Sequence, residues 1–227
     1  MEKVIDLPSK GIPYSGIEPT KISIRSLKGK DEKLLADMVE SNVEKKYLAL
    51  LKQVMTGINP EELTLGDRAY ILLWLRVNSY SSTVSVNLVC QNCEDKIVVD
   101  IDLTKINIKD VPEDFKEPKE VTLSDGSIVK VRTFRIKDEV LLEDLSKTKC
   151  FSDLYMYRWA LSIVDDKSIE KRMGFLDNLD VSDFEKIKEV QKMSIHGPDL
   201  DNVKYHCPKC GQDGSMILPF RPDFLLP

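Results

Sequence analysis

Two pairs of cysteines place the strongest constraint on how this chain can fold. Cys90 and Cys93 form one C-x-x-C motif, and Cys207 and Cys210 form a second. A two-residue spacing lets both thiolates of a tight turn bind one ion, but a closed tetrahedral zinc site needs four ligands. Each pair is therefore half of a site. We predict that the four cysteines together bind one structural Zn²⁺.

The long separation of the two pairs means that the fold must bring them together. Between Cys93 and Cys207 lie 113 residues, whereas compact zinc ribbons separate their pairs by about 15 to 20. Two turns that bind no metal remain an alternative interpretation. A thioredoxin-like redox role is disfavoured, because such a motif opens a helix after a strand. Here apolar residues alternate on both sides of Cys90 and Cys93, which predicts a hairpin.

Composition and charge limit the classes of protein that this chain can belong to. The 227 residues are 42% hydrophobic and 31% charged, with a formal net charge of −5. Such a chain is expected to be soluble and globular, and its acidic balance disfavours nucleic-acid binding. The longest apolar run is residues 69–75, far short of the roughly 18 to 20 residues of a membrane span. Residues 1–6 are unlike a secretory signal, so we expect the protein to reside in a reducing cytoplasm. In that compartment, paired cysteines more often bind metals than form disulfides.

An internal repeat explains how the two cysteine pairs could meet. Residues 22–38 align with residues 129–145 at an offset of 107, with identity at seven of 17 positions. The cysteine pairs repeat at a nearby offset of 117. These repeats predict an α+β fold of two duplicated strand-helices-hairpin halves, related by an approximate two-fold axis and joined by a zinc-ribbon-like site of four cysteines. The predicted halves are residues 1–106 and 121–227, with residues 107–120 as the connecting segment.

Apolar periodicity predicts the helices that separate strand and hairpin in each half. The segments are residues 43–56 and 68–77 in the first half, and residues 154–164 and 181–193 in the second. Cys150 is predicted to be a small buried residue at the start of a helix. His196 is predicted to lie exposed in a loop, or to cap a helix.

The sequence contains no recognisable catalytic motif. The sequence has no glycine-rich phosphate loop, and it has only two histidines. No serine or cysteine stands in a recognisable triad arrangement. Four thiolates would also leave zinc without an open position for water or substrate. We therefore predict no enzymatic activity and no small-molecule substrate.

Several short motifs occur in an order that points to a known family. They are Leu-Pro-Ser-Lys-Gly at residues 7–11, Ile-Arg-x-Leu running into Lys-Asp-Glu-x-x-Leu, Glu-Leu-Thr-Leu-Gly-Asp-Arg at residues 62–68, Leu-Arg at 75–76, Ser-Tyr at 79–80, the C-x-x-C pairs and the ending Leu-Pro-Phe-Arg-Pro-Asp-Phe-Leu-Leu-Pro. Together they resemble the baseplate hub proteins of T-even-type contractile-tailed phages. The resemblance implies a structural or assembly component of the central hub, with protein partners and no catalysis. It also implies location in the virion tail, and in the host cytoplasm during assembly, with a homo-oligomer within the hub as one arrangement.

The carboxyl-terminal segment independently suggests docking onto other proteins. Residues 218–227 contain three prolines, which favour an extended conformation. Aromatic and aliphatic side chains are effective anchors in protein interfaces, and we predict partner binding by Phe220, Phe224, Leu225 and Leu226. Packing of the tail on its own domain is the alternative.

Two other functions stay open at this point. One is a nucleic-acid-binding zinc ribbon, for which Lys192, Lys204 and Lys209 near the second pair are the only support. The other is a transient chaperone of tail assembly that is absent from the virion.

Overall fold

The computed structural model describes residues 2–14, 21–193, 195–219 and 222–225. Its helices are α1 Gly29–Ala36, α2 Val43–Val54, α3 Leu65–Ser79, α4 Ile136–Leu145, α5 Phe151–Ser162, α6 Ile169–Asp177 and α7 Val181–Met193. Its strands are β1 Glu2–Asp6, β2 Lys21–Arg25, β3 Met55–Thr56, β4 Thr83–Val89, β5 Lys96–Asp102, β6 Ile108–Lys109, β7 Lys119–Thr122, β8 Ile128–Val131, β9 Gly197–Pro198, β10 Val203–His206 and β11 Asp213–Met216. The predicted mixture of helices and strands is confirmed.

The strands form small antiparallel sheets rather than one large sheet. Strands β1, β2 and β3 make a three-stranded sheet, and β6 pairs with β9. The remaining strands form the hairpins β4–β5, β7–β8 and β10–β11. Cys90 and Cys93 lie in the turn between β4 and β5, and Cys207 and Cys210 lie in the turn between β10 and β11. The strand-turn-strand pattern predicted around each cysteine pair is therefore present.

Helix α3 contains the predicted helical segment 68–77 and is a central buried helix of the fold. The Oγ of Thr64 caps its first turn by accepting the backbone N–H of Asp67 at 3.2 Å. The apolar side chains of Ile71, Leu72 and Leu75 are fully buried, because α3 is apolar almost all round. Within the described residues, no helix combines the length and the apolar character needed to cross a membrane.

Helices α2, α5 and α7 also lie where periodicity predicts them, but two elements of five or more residues were not predicted. Helix α6 is one of these, and its interior Gly174 lowers the helix propensity of a nine-residue segment. Strand β1 is the other, because its five residues contain only Val4 and Ile5 as adjacent apolar positions. Such short segments carry too few residues to establish a period.

Two hydrophobic cores organise the chain. The first contains buried residues of β2, α1, α2, α3 and β5, and it also contains Val203 and Tyr205 of β10. The second contains buried residues of β7, β8, α5, α6 and α7. The second hairpin, which the sequence assigns to the second half, therefore packs its apolar side chains into the first core.

Two arginine–aspartate pairs make the same contacts at the starts of α1 and α4. Arg25 donates to both carboxylate oxygens of Asp31, at 2.7 and 3.1 Å. Arg132 donates to both carboxylate oxygens of Asp138, at 2.7 and 2.8 Å. Each aspartate also accepts the backbone N–H of its helix N-cap residue at 2.8 Å. The first turn of each helix is thereby fixed to the strand before it.

His196 belongs to a buried polar cluster at the start of α3, so the prediction of an exposed residue is wrong. The residue is 9% exposed, and its Nε2 lies 2.7 Å from the Oγ1 of Thr64. Beside it, the carboxylate of Asp67 accepts the Tyr14 hydroxyl and the backbone N–H of Ser9. The segment after α7 covers the amino terminus of α3, and this tertiary contact buries the imidazole.

Cys150 is exposed, which corrects the prediction of a buried residue. It does lie at the start of a helix, as the N-cap residue of α5. The cap position holds its side chain outside the helix, and its Sγ lies 3.1 Å from the Oγ of Ser152.

Candidate metal centre

The four paired cysteines converge at the tips of two hairpins. All four Sγ atoms lie within 4.8 Å of one another. The Cys90–Cys210 and Cys93–Cys207 sulfur separations are both 3.9 Å, and all four residues are free thiols. Sulfurs at the corners of a tetrahedron, about 2.3 Å from a central ion, would lie about 3.8 Å apart. The cluster is therefore compatible with a tetrahedral metal site.

The two cysteine turns have the same backbone hydrogen bonds. In each turn the first cysteine donates its N–H to the carbonyl five residues later and accepts the N–H of the residue four positions later. The bonds are Cys90 to Asp95 at 2.9 Å, Glu94 to Cys90 at 2.9 Å, Cys207 to Gln212 at 2.9 Å and Gly211 to Cys207 at 3.0 Å. This closed turn holds both sulfurs of a pair on one side.

Backbone and side-chain N–H groups surround the sulfurs. Asn92 donates its backbone N–H to Cys90 Sγ at 3.4 Å, and Cys210 donates its backbone N–H to Cys207 Sγ at 3.5 Å. The Nδ2 of Asn92 also donates to Cys210 Sγ in the opposite turn, at 3.5 Å. Such donors favour thiolate over thiol. Asn92 could not be identified from the sequence, because only the fold brings its amide to the other turn.

A salt bridge adds a second connection between the turns. The Nζ of Lys209 lies 2.9 Å from Asp95 Oδ1, and each residue belongs to a different turn. Both side chains are about half exposed, so this ion pair contributes little to the free energy of folding.

The environment shifts the thiol pKa values in opposite directions. Backbone N–H groups of Cys93 and Asn92 lower the pKa of Cys90 to about 6. The Asn92 side chain lowers the pKa of Cys210. For Cys93, a backbone hydrogen bond from Asp95 acts downward, but burial and the neighbouring thiols outweigh it and raise the pKa to about 12. Without a cation, the four thiols cannot all ionise together at neutral pH.

Metal binding at neutral pH should therefore release protons. A thiol must lose its proton to bind a metal, and Cys93, with a pKa of about 12, holds its proton until a cation displaces it. Zinc affinity should accordingly fall as pH falls, because protons then compete for the sulfurs. Calorimetric titration in buffers of different ionisation enthalpy measures the released protons. Zinc binding without proton release, or with an affinity independent of pH, would contradict this prediction.

The backbone at Glu94 predicts a stabilising substitution. Glu94 has a φ of 60°, and Gly211, at the equivalent position of the second turn, has a φ of 71°. The left-handed region costs a residue with a side chain about 1 kcal/mol relative to glycine. Glu94→Gly should therefore raise the free energy of unfolding by about 1 kcal/mol, measured by thermal or denaturant unfolding of the purified protein. Gln91→Gly in the same turn is the control and should be neutral or destabilising. Equal losses in the free energy of unfolding for Glu94→Gly and Gln91→Gly would contradict backbone strain at Glu94.

The structure places two of the four predicted partner-binding residues in the interior of their own chain. Phe224 is 8% exposed and Leu225 is fully buried, and both belong to the first core. Phe220 and Leu226 lie outside the described residues. For Phe224 and Leu225, the structure thus has the alternative arrangement in which the tail packs on its own domain.

Comparison with known families identifies the kind of protein that carries this centre. The family model described as T4 bacteriophage base plate protein matches residues 2–224. The chain belongs to this base plate protein family. The resemblance based on ordered short motifs is therefore confirmed, and membership assigns the base plate protein a structural role in the virion tail among other tail proteins. No curated protein and no solved structure matched this base plate protein.

Proposed function

We propose that this base plate protein is a zinc-stabilised structural component of the baseplate hub that docks onto other tail proteins. The observation that carries the proposal is the convergence of four free thiols from distant parts of a chain that belongs to a base plate family. A scaffold needs a rigid shape, and a metal that joins two hairpins supplies one.

The donor set favours zinc in a structural role. Four sulfur ligands in a tetrahedral arrangement suit zinc or iron, and a zinc bound by four cysteines keeps no open position for a substrate. Such an ion can contribute on the order of 10 kcal/mol to folding. Cys90, Cys93, Cys207 and Cys210 would be its ligands. The proposal accordingly includes no catalysis and no small-molecule substrate.

The two halves, residues 1–106 and 121–227, are proposed to be a tandem duplication. In support, the paired residues Ile24 and Met55 of β2 and β3 have a counterpart in the bridge between Val131 and Ile163. The Arg25–Asp31 contact likewise has its counterpart at the offset of 107. Helices α1 and α4 begin at that same offset.

The change of offset between strand and cysteines also has a simple explanation under duplication. The offset is 107 at the first helix of each half and 117 at the cysteines. Helix α6, with nine residues, lies between these points in the second half only and is nearly long enough to account for the difference. An experimental structure in which the strand, helices and hairpin common to both halves follow one another in different orders would contradict duplication.

The basic residues near the second pair give little support to nucleic-acid binding. Lys209 pairs with Asp95 at 2.9 Å, and Lys192 pairs with Glu189 at 2.6 Å. These carboxylates offset the positive charge that phosphates would need. A docking role toward proteins is therefore preferred.

Complementation of a defective phage tests the proposal. Phage that lack this gene would receive the wild-type chain, Cys150→Ser or Cys207→Ser, and completed tails would be counted by electron microscopy. Wild type and Cys150→Ser should restore tails, whereas Cys207→Ser should not. Mass spectrometry of purified tails should find the protein, and cryo-electron microscopy should locate it at the central hub. Absence from completed tails would overturn a built-in role and favour the transient chaperone.

A further inference from the structure

One edge of the β4–β5 hairpin has no backbone partner in the described part of the chain. The hydrogen bonds that flank the hairpin join Ser82 to Leu103 and Cys90 to Asp95. Together with the register, they show that even-numbered residues of β4 exchange bonds with β5. The N–H and C=O groups of odd-numbered residues therefore point away from β5.

Those outward-pointing positions are exposed and available. They are Thr83, Ser85, Asn87 and Val89, and all four are exposed. The N–H of Thr83 donates to Ser81 Oγ at 3.0 Å. Among the described residues, no hydrogen-bond partner reaches the N–H groups of the other three.

The sequence of β4 lacks the usual protection of a free edge. Edge strands are normally guarded by charged side chains, prolines or bulges. Among the described strands of four or more residues, β4 alone has no charged residue. Its pairing with β5 runs without a bulge from Thr83 to Val89. An unguarded edge of seven residues is a template for pairing with another strand.

The pattern of β4 is self-complementary, which identifies the partner strand. Reversal of β4 about Val86 sets Val84 opposite Leu88 and Ser85 opposite Asn87. Aliphatic residues thus face each other at Val84–Leu88 and polar residues at Ser85–Asn87, while Thr83 faces Val89 at the two ends, and no pair brings like charges together. We propose that β4 pairs antiparallel with β4 of a second copy of this chain, about a two-fold axis through Val86.

The proposed register uses the free backbone groups. Odd-numbered residues of one copy lie opposite odd-numbered residues of the other. The pairs Ser85–Asn87 and Thr83–Val89 each occur twice about the axis, and because the Thr83 N–H already donates to Ser81, they can form about six N–H···O=C bonds between the copies. The two hairpins then become one four-stranded sheet. The half-buried side chains of Val84, Val86 and Leu88, which pack on the first core, line a common face across the axis. Two-stranded hairpins are marginal alone, so pairing stabilises both.

This pairing adds a self-association surface to the proposed scaffold role. It rests on that proposed function in one respect, since the cysteine site must hold the β4–β5 hairpin in place. Metal content and dimerisation are separate measurements, so each can fail alone. A strand from a different tail protein is the other possible occupant of the edge, and it would leave the isolated chain monomeric.

Cysteine crosslinking tests the register directly. In a Cys150→Ser background, Val86→Cys should form an intermolecular disulfide with oxidised glutathione, because a residue on the axis lies about 4.5 Å from its copy, Cα to Cα. Val84→Cys is the control. In the proposed register the two substituted residues at position 84, one from each copy, would lie four residues apart along the paired strands, about 13 Å, and should not crosslink. Peptide mass spectrometry identifies the linkage. Equal crosslinking at both positions, or none at Val86→Cys, would overturn the proposal.

A proline variant tests the pairing without new thiols. Asn87→Pro removes an N–H that points away from β5, so the hairpin's own ladder should survive. Light scattering should give about twice 25.9 kDa for wild type and 25.9 kDa for the variant, both with equal metal content. Val98→Pro is the control. Val98 lies opposite Asn87 in β5, so this variant shows how a proline in the hairpin affects the protein when it is placed outside β4. A monomeric wild type, or a dimeric Asn87→Pro variant with metal bound, would overturn the pairing.

Discussion

Replacement of Cys207 by serine should abolish stable zinc binding and unfold the first core at room temperature. A structural zinc contributes on the order of 10 kcal/mol, while whole domains are stable by about 5 to 15 kcal/mol. Loss of one of four ligands therefore removes most of the margin. The loss should reach the first core, because Cys90 and Cys207 are buried within it, at 2% and 0% exposure. Circular dichroism during heating, combined with metal analysis, measures both effects.

Cys150→Ser is the matched control for this experiment. Cys150 is an exposed thiol outside the cluster, so its replacement should leave metal content and melting temperature unchanged. A Cys207→Ser variant that melts at the wild-type temperature would contradict a stabilising metal. An effect of equal size from Cys150→Ser would show that the loss of any thiol, rather than of the site, is responsible.

Arg135→Met should cost about 3 to 5 kcal/mol in the free energy of unfolding. The guanidinium lies 2.6 Å from Glu117, and the two side chains are only 5% and 4% exposed. Arg135 also donates to the backbone carbonyl of Pro13 at 3.0 Å. It thus joins the N-terminal turn, the connecting segment and α4. The substitution leaves a buried carboxylate with only hydrogen bonds from Thr133. Denaturant unfolding measures the loss.

An exposed pair on the same helix supplies the comparison. Lys137 lies 2.7 Å from Glu62, but these side chains are 43% and 37% exposed. Lys137→Met should therefore cost no more than about 1 kcal/mol. The double variant Arg135→Met with Glu117→Gln should recover part of the loss, since it removes the unpaired charge. A cost for Arg135→Met as small as that for Lys137→Met would contradict the buried ion pair.

Local patterns made much of this fold predictable. A C-x-x-C turn needs only six residues to form, and the need for four ligands joins the two turns whatever their separation. The long helices α2, α3 and α7 carry enough residues to establish a helical period. The alternation around Cys90 likewise predicts β4 and β5. The turns, the helices and the hairpin depend on residues that are close in sequence, whereas the joining of the two turns follows from the number of ligands alone.

Features that depend on tertiary packing could not be predicted in the same way. The burial of His196 results from its position over α3, and the exposure of Cys150 results from the N-cap geometry of α5. The apolar composition of the tail suits both partner binding and packing on its own domain, so the sequence could not choose between them, and the structure has Leu225 in the first core. The donation from Asn92 to the opposite cysteine turn depends on how two hairpins meet. Residue type alone decides none of these.

Metal analysis of the purified protein tests the central claim most directly. Plasma emission analysis of the purified full-length protein should find one zinc per chain. X-ray absorption at the zinc edge should show four sulfur ligands at about 2.3 Å. A purified protein with four free thiols and no metal would contradict the account, as would a zinc ion with fewer than four sulfur ligands.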